Sequence, residues 1–150
     1  MSRLLGVDYG TVRLGLAVSD RDRKIASPLV TYTRRGAAQD AAFFRCLVAA
    51  EEIAALVVGL PVHLDGREGE KAREARAFGS WLGATTQLPV TYWDERFTTV
   101  EAEAHLIDAG LTRKRRKQRR DRVAAQILLQ AFLDAGCPAS QIVRPLDDGP

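Results

Sequence analysis

A run of apolar residues at positions 54–60 constrains the fold more than any other segment of the chain. Its sequence is Ala-Ala-Leu-Val-Val-Gly-Leu, and Pro61 follows it. A strand covered by other elements on both faces has this continuous apolar pattern, whereas a strand with one face in solvent alternates. The run therefore predicts an interior strand of a sheet that carries helices on both faces.

The segments before and after this run predict a mixed sheet. Strand-like segments at 4–8, 14–19 and 25–32 are joined by short polar turns, which favours an antiparallel meander. Pro28 puts the third of them at a sheet edge, because proline donates no ladder hydrogen bond. Helical spacing at 38–52 and 68–82 alternates with strands at 54–60 and 90–93, as parallel strands require. We predict an α/β fold, with three antiparallel and two parallel strands flanked by helices.

The C-terminal third predicts two further helices. Thr98 and Glu101 form a capping-box pattern that opens a helix over 100–108. A basic run at 112–122 precedes a last helix over 121–135, which Gly136 and Pro138 end. We find no repeat and no linker, so residues 1–150 are expected to form a single domain with a short flexible tail at about 145–150.

The composition favours a soluble cytoplasmic protein. Hydrophobic residues make up 46% of the chain and charged residues 27%, as in globular proteins. Cys46 and Cys137 form no C-x-x-C pattern, so we expect small core side chains in a reduced cytosol rather than a zinc site or disulfide. No apolar stretch has the length of a signal peptide or membrane span, so no membrane partner is expected.

Asp8 is the first candidate functional residue, because it ends a buried strand. A carboxylate near a core is costly unless a cation offsets its charge. Gly6, Gly10 and Gly15 flank it, and glycines let backbone or phosphate approach closely. The alternative is a simple hairpin with an acid at its turn.

Asp94 and Glu95 are the second candidates, since they follow a short strand. Neighbouring side chains of a strand point to opposite faces, so only one of the two can face a shared metal site. The other would pair with Arg96 or cap a helix. Alternatively, both acids serve capping and surface charge.

The basic run is the third feature, with eight basic residues among the eleven at 112–122. It contains no aromatic residue, which favours phosphate contact over base stacking. Asp121 stands alone within it, either as a first-turn acid favoured by the helix dipole or as a metal ligand. The alternative for the whole run is a mobile solvated loop. His63 and His105 have no partner at ligand spacing.

Four segments in chain order resemble the YqgF/RuvX family, described both as Holliday junction resolvases and as pre-16S rRNA nucleases. They lie at 5–20, at 58–61 with Asp65-Gly66, at 94–99 and at 121–130. The resemblance implies a ribonuclease H-like fold, in agreement with the strand and helix order. It also implies a metal-dependent nuclease that hydrolyses phosphodiester bonds in 5′-end maturation of pre-16S rRNA.

The resemblance also implies the site residues. Asp8, Glu95 and Asp121 correspond to catalytic carboxylates that hold Mg²⁺ or Mn²⁺, and Glu95 is preferred to Asp94 on the resemblance alone. RuvC-type resolvases have an acid just after the fourth strand, where this chain has Leu60-Pro61. The residues expected to bind the nucleic-acid backbone are Arg13, Arg96, Arg113, Lys114, Arg115, Arg116, Lys117, Arg119 and Arg120. RNA is the expected partner, single-stranded or junction DNA is the alternative, and both monomer and homodimer stay open.

Three other functions compete with the RNA nuclease. A Holliday junction resolvase of DNA recombination and repair would use the same carboxylates. A non-catalytic RNA-binding assembly factor would keep the basic run without needing Asp8, Glu95 and Asp121 together. An ATP-handling protein of the actin and sugar-kinase group has a turn like Asp8-x-Gly10-Thr11, but it normally has two such domains around a cleft.

Overall fold

The computed structural model describes residues 2–61, 66–97 and 112–138 of the 150-residue chain. Within these ranges the order of elements is β1 (Arg3–Asp8), β2 (Arg13–Ser19), β3 (Ala26–Thr33), α1 (Ala37–Ala50), β4 (Ile53–Leu60), α2 (Glu70–Thr86), β5 (Val90–Asp94), a short 3-10 helix (Glu95–Phe97) and α3 (Arg113–Asp134). None of the helices in these ranges is long and apolar enough to cross a membrane.

The five strands form one mixed sheet in the order β3-β2-β1-β4-β5. Strand β2 is antiparallel to β1 and β3, whereas β4 is parallel to β1 and β5. The predicted architecture is therefore confirmed. Strand β3 lies at the edge, as Pro28 predicts, and Leu29 is an extra residue there because Leu16 pairs with Val30 and Ala17 with Pro28.

Helix α3 covers one face of the sheet, and α1 and α2 cover the other. Alternate residues of β1 show the division, because Leu4 packs in the cluster under α3 and Leu5 in the cluster under α1 and α2. The same division applies to β4, where Val57 and Val58 are both buried on opposite faces. This two-sided burial explains the continuous apolar run of β4.

Three strand glycines allow α3 to lie close to the sheet. A Cβ atom at Gly15 would lie 1.8 Å from the carbonyl oxygen of Asp121, and one at Gly6 would lie 2.9 Å from the Cβ of Leu129. At Gly59 it would lie 2.2 Å from Leu128 Cδ1. The sequence predicts that backbone or phosphate comes close to Gly6 and Gly15. In the structure it is helix α3 that lies against both glycines.

The start of the last helix differs from the sequence prediction. Helix α3 begins at Arg113 rather than 121, so the basic run is its N-terminal half and not a preceding loop. Thr112 caps it, since its hydroxyl accepts a hydrogen bond from the Arg115 amide at 3.2 Å. Arg, Lys and Gln are good helix formers, and charge alone does not end a helix. Asp121 therefore lies well beyond the first turn, and the dipole explanation for it is wrong.

Smaller corrections concern α2 and Cys46. Helix α2 begins at Glu70 and extends to Thr86 instead of spanning 68–82, and Gln87 ends it in the left-handed conformation. Cys46 is exposed, because it lies on the outer side of α1, whereas Cys137 packs against the cluster under α3. The helix expected at 100–108, the tail at 145–150, His63, His105 and Asp65 lie outside the described residues.

Candidate carboxylate site

The carboxyl ends of β1, β4 and β5 meet at one edge of the sheet, because these strands are parallel. Asp8 is the last residue of β1, and Glu95 directly follows β5. Asp8 is two residues after Gly6, so its side chain is on the face that α3 covers. Asp121 is on α3 above Gly15. Three acids that are distant in sequence thus converge at this edge.

Asp8 and Glu95 are hydrogen-bonded to each other. Burial raises the pKa of Asp8 well above its ordinary value, and the charges of Glu95 and Asp121 raise it further. Burial also raises the pKa of Glu95, whereas its hydrogen bond with Asp8 lowers it. Burial thus disfavours the ionised form of both carboxyl groups. Asp8, Glu95 and Asp121 lie close together at this edge, and the partly desolvated surroundings do not stabilise all three as anions.

Asp121 is held by an arginine from β2. Arg13 Nε donates a hydrogen bond to Asp121 Oδ2 at 2.8 Å, and both side chains are half-buried. The close contact with Gly15 fixes the backbone of Asp121, and the ion pair with Arg13 fixes its carboxylate. Among residues 2–61, 66–97 and 112–138, no group of three His, Cys, Asp or Glu side chains is arranged to hold a metal ion.

Asp94 and Glu95 differ in their surroundings, although Glu95 lies beyond the end of β5, where strand alternation does not apply. Asp94 is only 2% exposed and accepts the backbone amide of Arg96 at 2.8 Å. Asp94 also accepts a hydrogen bond from Arg96 Nε at 2.8 Å, so the two side chains stabilise the turn between them. Glu95 turns towards Asp8 instead. Gly59 makes room for it, because a Cβ there would lie 2.6 Å from Glu95 Oε2.

The basic residues of α3 lie beside the carboxylates. Arg113, Arg115, Lys117, Arg119 and Arg120 are exposed and Arg116 is half-buried, while the side chain of Lys114 lies outside the described part. Thr31 of β3 donates its hydroxyl to the carbonyl of Gln118, which ties the helix to the sheet edge. Arg13 and Lys117 line a groove of about 250 Å³ together with Val12, Thr33 and Gln118. Arg13 thus connects this groove to Asp121.

Sequence reasoning missed a second feature at this edge, an aromatic pocket on the opposite face of the sheet. Tyr9, Arg34, Phe78 and Trp81 are among its lining residues. The available signal was alternation along β1, which turns Tyr9 to the face opposite Asp8. The rings from α2 read in the sequence only as core positions.

This sheet order, with helices on both faces, is that of the ribonuclease H-like fold. Among solved structures the fold is similar to Thermus thermophilus RuvC in complex with a Holliday junction substrate, with a TM-score of 0.58 and 16% identity over 93% of this chain and 99% of that one. It is also similar to the fowlpox virus resolvase in complex with Holliday junction DNA, with a TM-score of 0.55 and 8% identity over 91% and 99%. At these identities the likeness is one of fold.

The model of the RuvX family, described as Holliday junction resolvase, matches residues 2–135. The chain belongs to this family. A Rhodopirellula baltica protein is 52% identical over 133 residues, which are 89% of this chain and 77% of that protein. A Rhodobacter capsulatus protein is 48% identical over 131 residues, 87% of this chain and 82% of that one. Both relatives carry the name "Putative pre-16S rRNA nuclease". The family resemblance seen in the sequence is confirmed.

Proposed function

We propose that this protein is a metal-dependent nuclease that hydrolyses phosphodiester bonds and matures the 5′ end of pre-16S rRNA. The observation that carries the proposal is the convergence of Asp8, Glu95 and Asp121 beside a basic helix. A cluster of acids alone would repel the anionic backbone of nucleic acid. The adjacent cationic groove attracts the backbone and so offsets this repulsion.

The site residues fit a divalent cation. Asp8 and Glu95 are partly buried, which disfavours ionisation of both, and the charges of Glu95 and Asp121 disfavour ionisation of Asp8 further. A hard cation would relieve this repulsion through the oxygen ligands it prefers. We propose Asp8, Glu95 and Asp121 as ligands of Mg²⁺ or Mn²⁺. The three are not arranged as a metal site in the described structure, where Asp121 pairs with Arg13, so Asp121 would have to turn from Arg13 towards the cation. Such ions, when bound, would activate a water for attack on phosphorus and would stabilise charge on the leaving oxygen.

Other residues of the chain would bind and orient the strand. Arg13 has a guanidinium at the border between groove and carboxylates, where it would contact the phosphate next to the reacting one. Lys117, Arg115 and Arg119 extend the cationic surface along α3. Arg96 holds the turn that carries Glu95 through its pair with Asp94. Its contact with phosphate, expected from the sequence, stays a prediction.

The test compares wild-type protein with Asp8→Asn on two end-labelled substrates, a precursor-rRNA 5′ leader and a four-way DNA junction, with Mn²⁺ or Mg²⁺. We expect RNA cleavage that falls at least about a hundred-fold in the variant, since loss of one key charge-stabilising group costs about that much. Binding should remain within a few-fold. Identical preparation of both proteins controls for contaminating nuclease, and equal cleavage by both would contradict the assignment of Asp8.

Junction resolution is the second candidate, favoured by the fold shared with two resolvases in complex with junctions. Paired symmetric nicks in the DNA junction would support it. Such nicks require two sites on opposed strands, so the protein should then be a dimer in sedimentation. Salt-sensitive binding of both substrates without Asp8-dependent cleavage would instead support a non-catalytic binding protein.

A further inference from the structure

The pocket on the α1 and α2 side opens at the same sheet edge as the carboxylates. It has a volume of about 340 Å³, and Tyr9, Arg34, Phe78, Trp81 and Glu74 line it. Strand β3 runs parallel to β1, so α1 begins near the edge where Asp8 lies, and α2 begins after β4 reaches the same edge. The pocket and the carboxylates therefore lie on opposite faces of the sheet at one edge. Asp8 and Tyr9, which are adjacent in sequence, belong to one face each.

The lining of this pocket is aromatic. The rings of Tyr9 and Phe78 have centroids 5.3 Å apart, and those of Phe78 and Trp81 are 5.6 Å apart. Phe78 is buried, whereas Tyr9 and Trp81 are half-buried and contribute accessible ring surface. Flat aromatic surface of this kind stacks with flat ligands such as nucleobases.

A fixed guanidinium closes one side of the pocket. Arg34 Nη1 donates to the Tyr9 hydroxyl at 3.3 Å and to the Gly10 carbonyl at 3.2 Å. Its Cζ lies 5.4 Å from the Tyr9 ring centroid and 5.2 Å from that of Phe78. The buried Asp40 lies 3.9 Å from its Nε. Arg34 therefore couples the pocket to the turn that follows Asp8.

These groups together match the chemistry of a nucleobase. A base has two flat faces that stack on rings, and its edge has both donors and acceptors of hydrogen bonds. Trp81 and Tyr9 offer the faces, Arg34 offers donors, and the carboxylate of Glu74 offers acceptors. The volume accommodates one base. A base paired in a duplex cannot enter, because its edges and faces are already occupied.

The position of the pocket indicates which base would enter it. The cationic groove of Arg13 and Lys117 lies on the α3 side, and the pocket lies on the other side, with Asp8 between them. We propose that a single nucleic-acid strand crosses this edge and places one unpaired base, adjacent to the phosphodiester at Asp8, in the pocket. This inference rests on the proposed function and adds to it a requirement for single-stranded character beside the cut.

The test measures binding in Asp8→Asn protein, which retains the bound strand uncut. Single-stranded RNA oligonucleotides carry one abasic nucleotide, moved one position at a time. We expect one position at which the abasic nucleotide weakens binding about 5- to 150-fold, the effect of losing one stacked base. A 2-aminopurine at that position should lose fluorescence on binding, as a stacked base does, and neighbouring positions should respond less.

A second substitution assigns the effect to the pocket. Adding Trp81→Ala should weaken binding of the intact oligonucleotide by a similar factor and abolish the further loss from the abasic position. Trp81→Phe should restore most of the binding, because it keeps a stacking ring. Phe43→Ala is the matched control, since Phe43 is also half-buried but stacks on Tyr32 at 3.8 Å, outside the pocket. It should leave the abasic effect intact.

The outcomes separate this inference from the nuclease proposal. Equal abasic losses with and without Trp81 would overturn the base pocket, even if wild-type protein cuts RNA. Guanosine or adenosine monophosphate that binds in a Trp81-dependent way without displacing the oligonucleotide would also overturn it, in favour of a free nucleotide. A Trp81-dependent positional effect in a protein that cuts neither substrate would support the pocket and contradict the nuclease.

Discussion

Asp94 and Glu95 are adjacent acids whose surroundings are opposite in kind. Asp94 is neutralised by the guanidinium of Arg96, with Nη2 at 2.5 Å from its Oδ2. Glu95 faces a second carboxyl group, Asp8, and burial raises the pKa of both. Asp94 thus stabilises the turn, whereas Glu95 as an anion opposes folding when no cation is bound.

This contrast predicts opposite effects on the stability of the metal-free protein. Glu95→Gln should raise the unfolding midpoint by a few degrees, because it removes a buried like-charge contact. Asp94→Asn should lower the free energy of unfolding by about 1–3 kcal/mol, because it weakens hydrogen bonds to a charged group. Thermal melting would measure the first change and urea unfolding the second, both at pH 8 with EDTA. A loss of similar size in the two variants would contradict the electrostatic difference.

At the scale of elements, the close approach of α3 to the sheet positions both Asp121 and the basic groove. The glycines at 6, 15 and 59 belong to the three central strands, and each would clash with α3 if it carried a Cβ atom. At Gly15 the neighbour is backbone, so a side chain there cannot be accommodated by a rotamer change. The conformation of the helix is local, but its distance from Asp8 is set by these glycines.

Gly15→Ala should therefore impair the site more than the fold. The new Cβ forces α3 away from β2, which should cost about 1–3 kcal/mol of stability and reduce cleavage at least about ten-fold. Gly79→Ala is the control, because its Cβ would lie 2.5 Å from the Tyr92 hydroxyl oxygen on the other face. It should lose stability but retain cleavage per folded molecule. Unchanged cleavage by Gly15→Ala would show that the close contact between Gly15 and Asp121 is not needed for activity.

At the scale of the whole molecule, one edge of the sheet gathers features from all its layers. Helix α3 contributes the groove and Asp121, the strands contribute Asp8 and position Glu95, and α2 contributes Trp81. The carboxylates lie at the centre of this arrangement, and the repulsion between their charges opposes folding. A ligand that binds there with positive charge should therefore stabilise the entire fold.

The expected consequence is metal-dependent stability. At a concentration a hundred times its dissociation constant, a divalent cation should stabilise the wild-type protein by about 2.7 kcal/mol. A domain of this size then unfolds about 5–11 °C higher. Calorimetric melting with and without Mg²⁺ or Mn²⁺ would measure the shift, and Asp8→Asn should show little of it. An equal shift in both proteins would place the binding site elsewhere.

The sequence by itself determined the elements whose signals are local. The apolar run of β4 and the edge position marked by Pro28 follow from burial on both faces of a strand and from the chemistry of a single residue. Through the family resemblance the sequence also predicts Asp8, Glu95 and Asp121 as the catalytic carboxylates, and that role stays a prediction. The start of α3 is not predicted, because the basic run is taken to precede the helix although its residues favour a helix.

Only the tertiary structure decided how distant segments meet. The Arg13–Asp121 pair spans 108 residues of sequence, and no period along the chain encodes its 2.8 Å distance. The aromatic pocket combines Tyr9 after β1, Arg34 after β3 and Trp81 on α2, each of which reads alone as a core or surface residue. Such sites depend on the strand order and on how closely helices pack against the sheet, and both are set by the simultaneous packing of all layers.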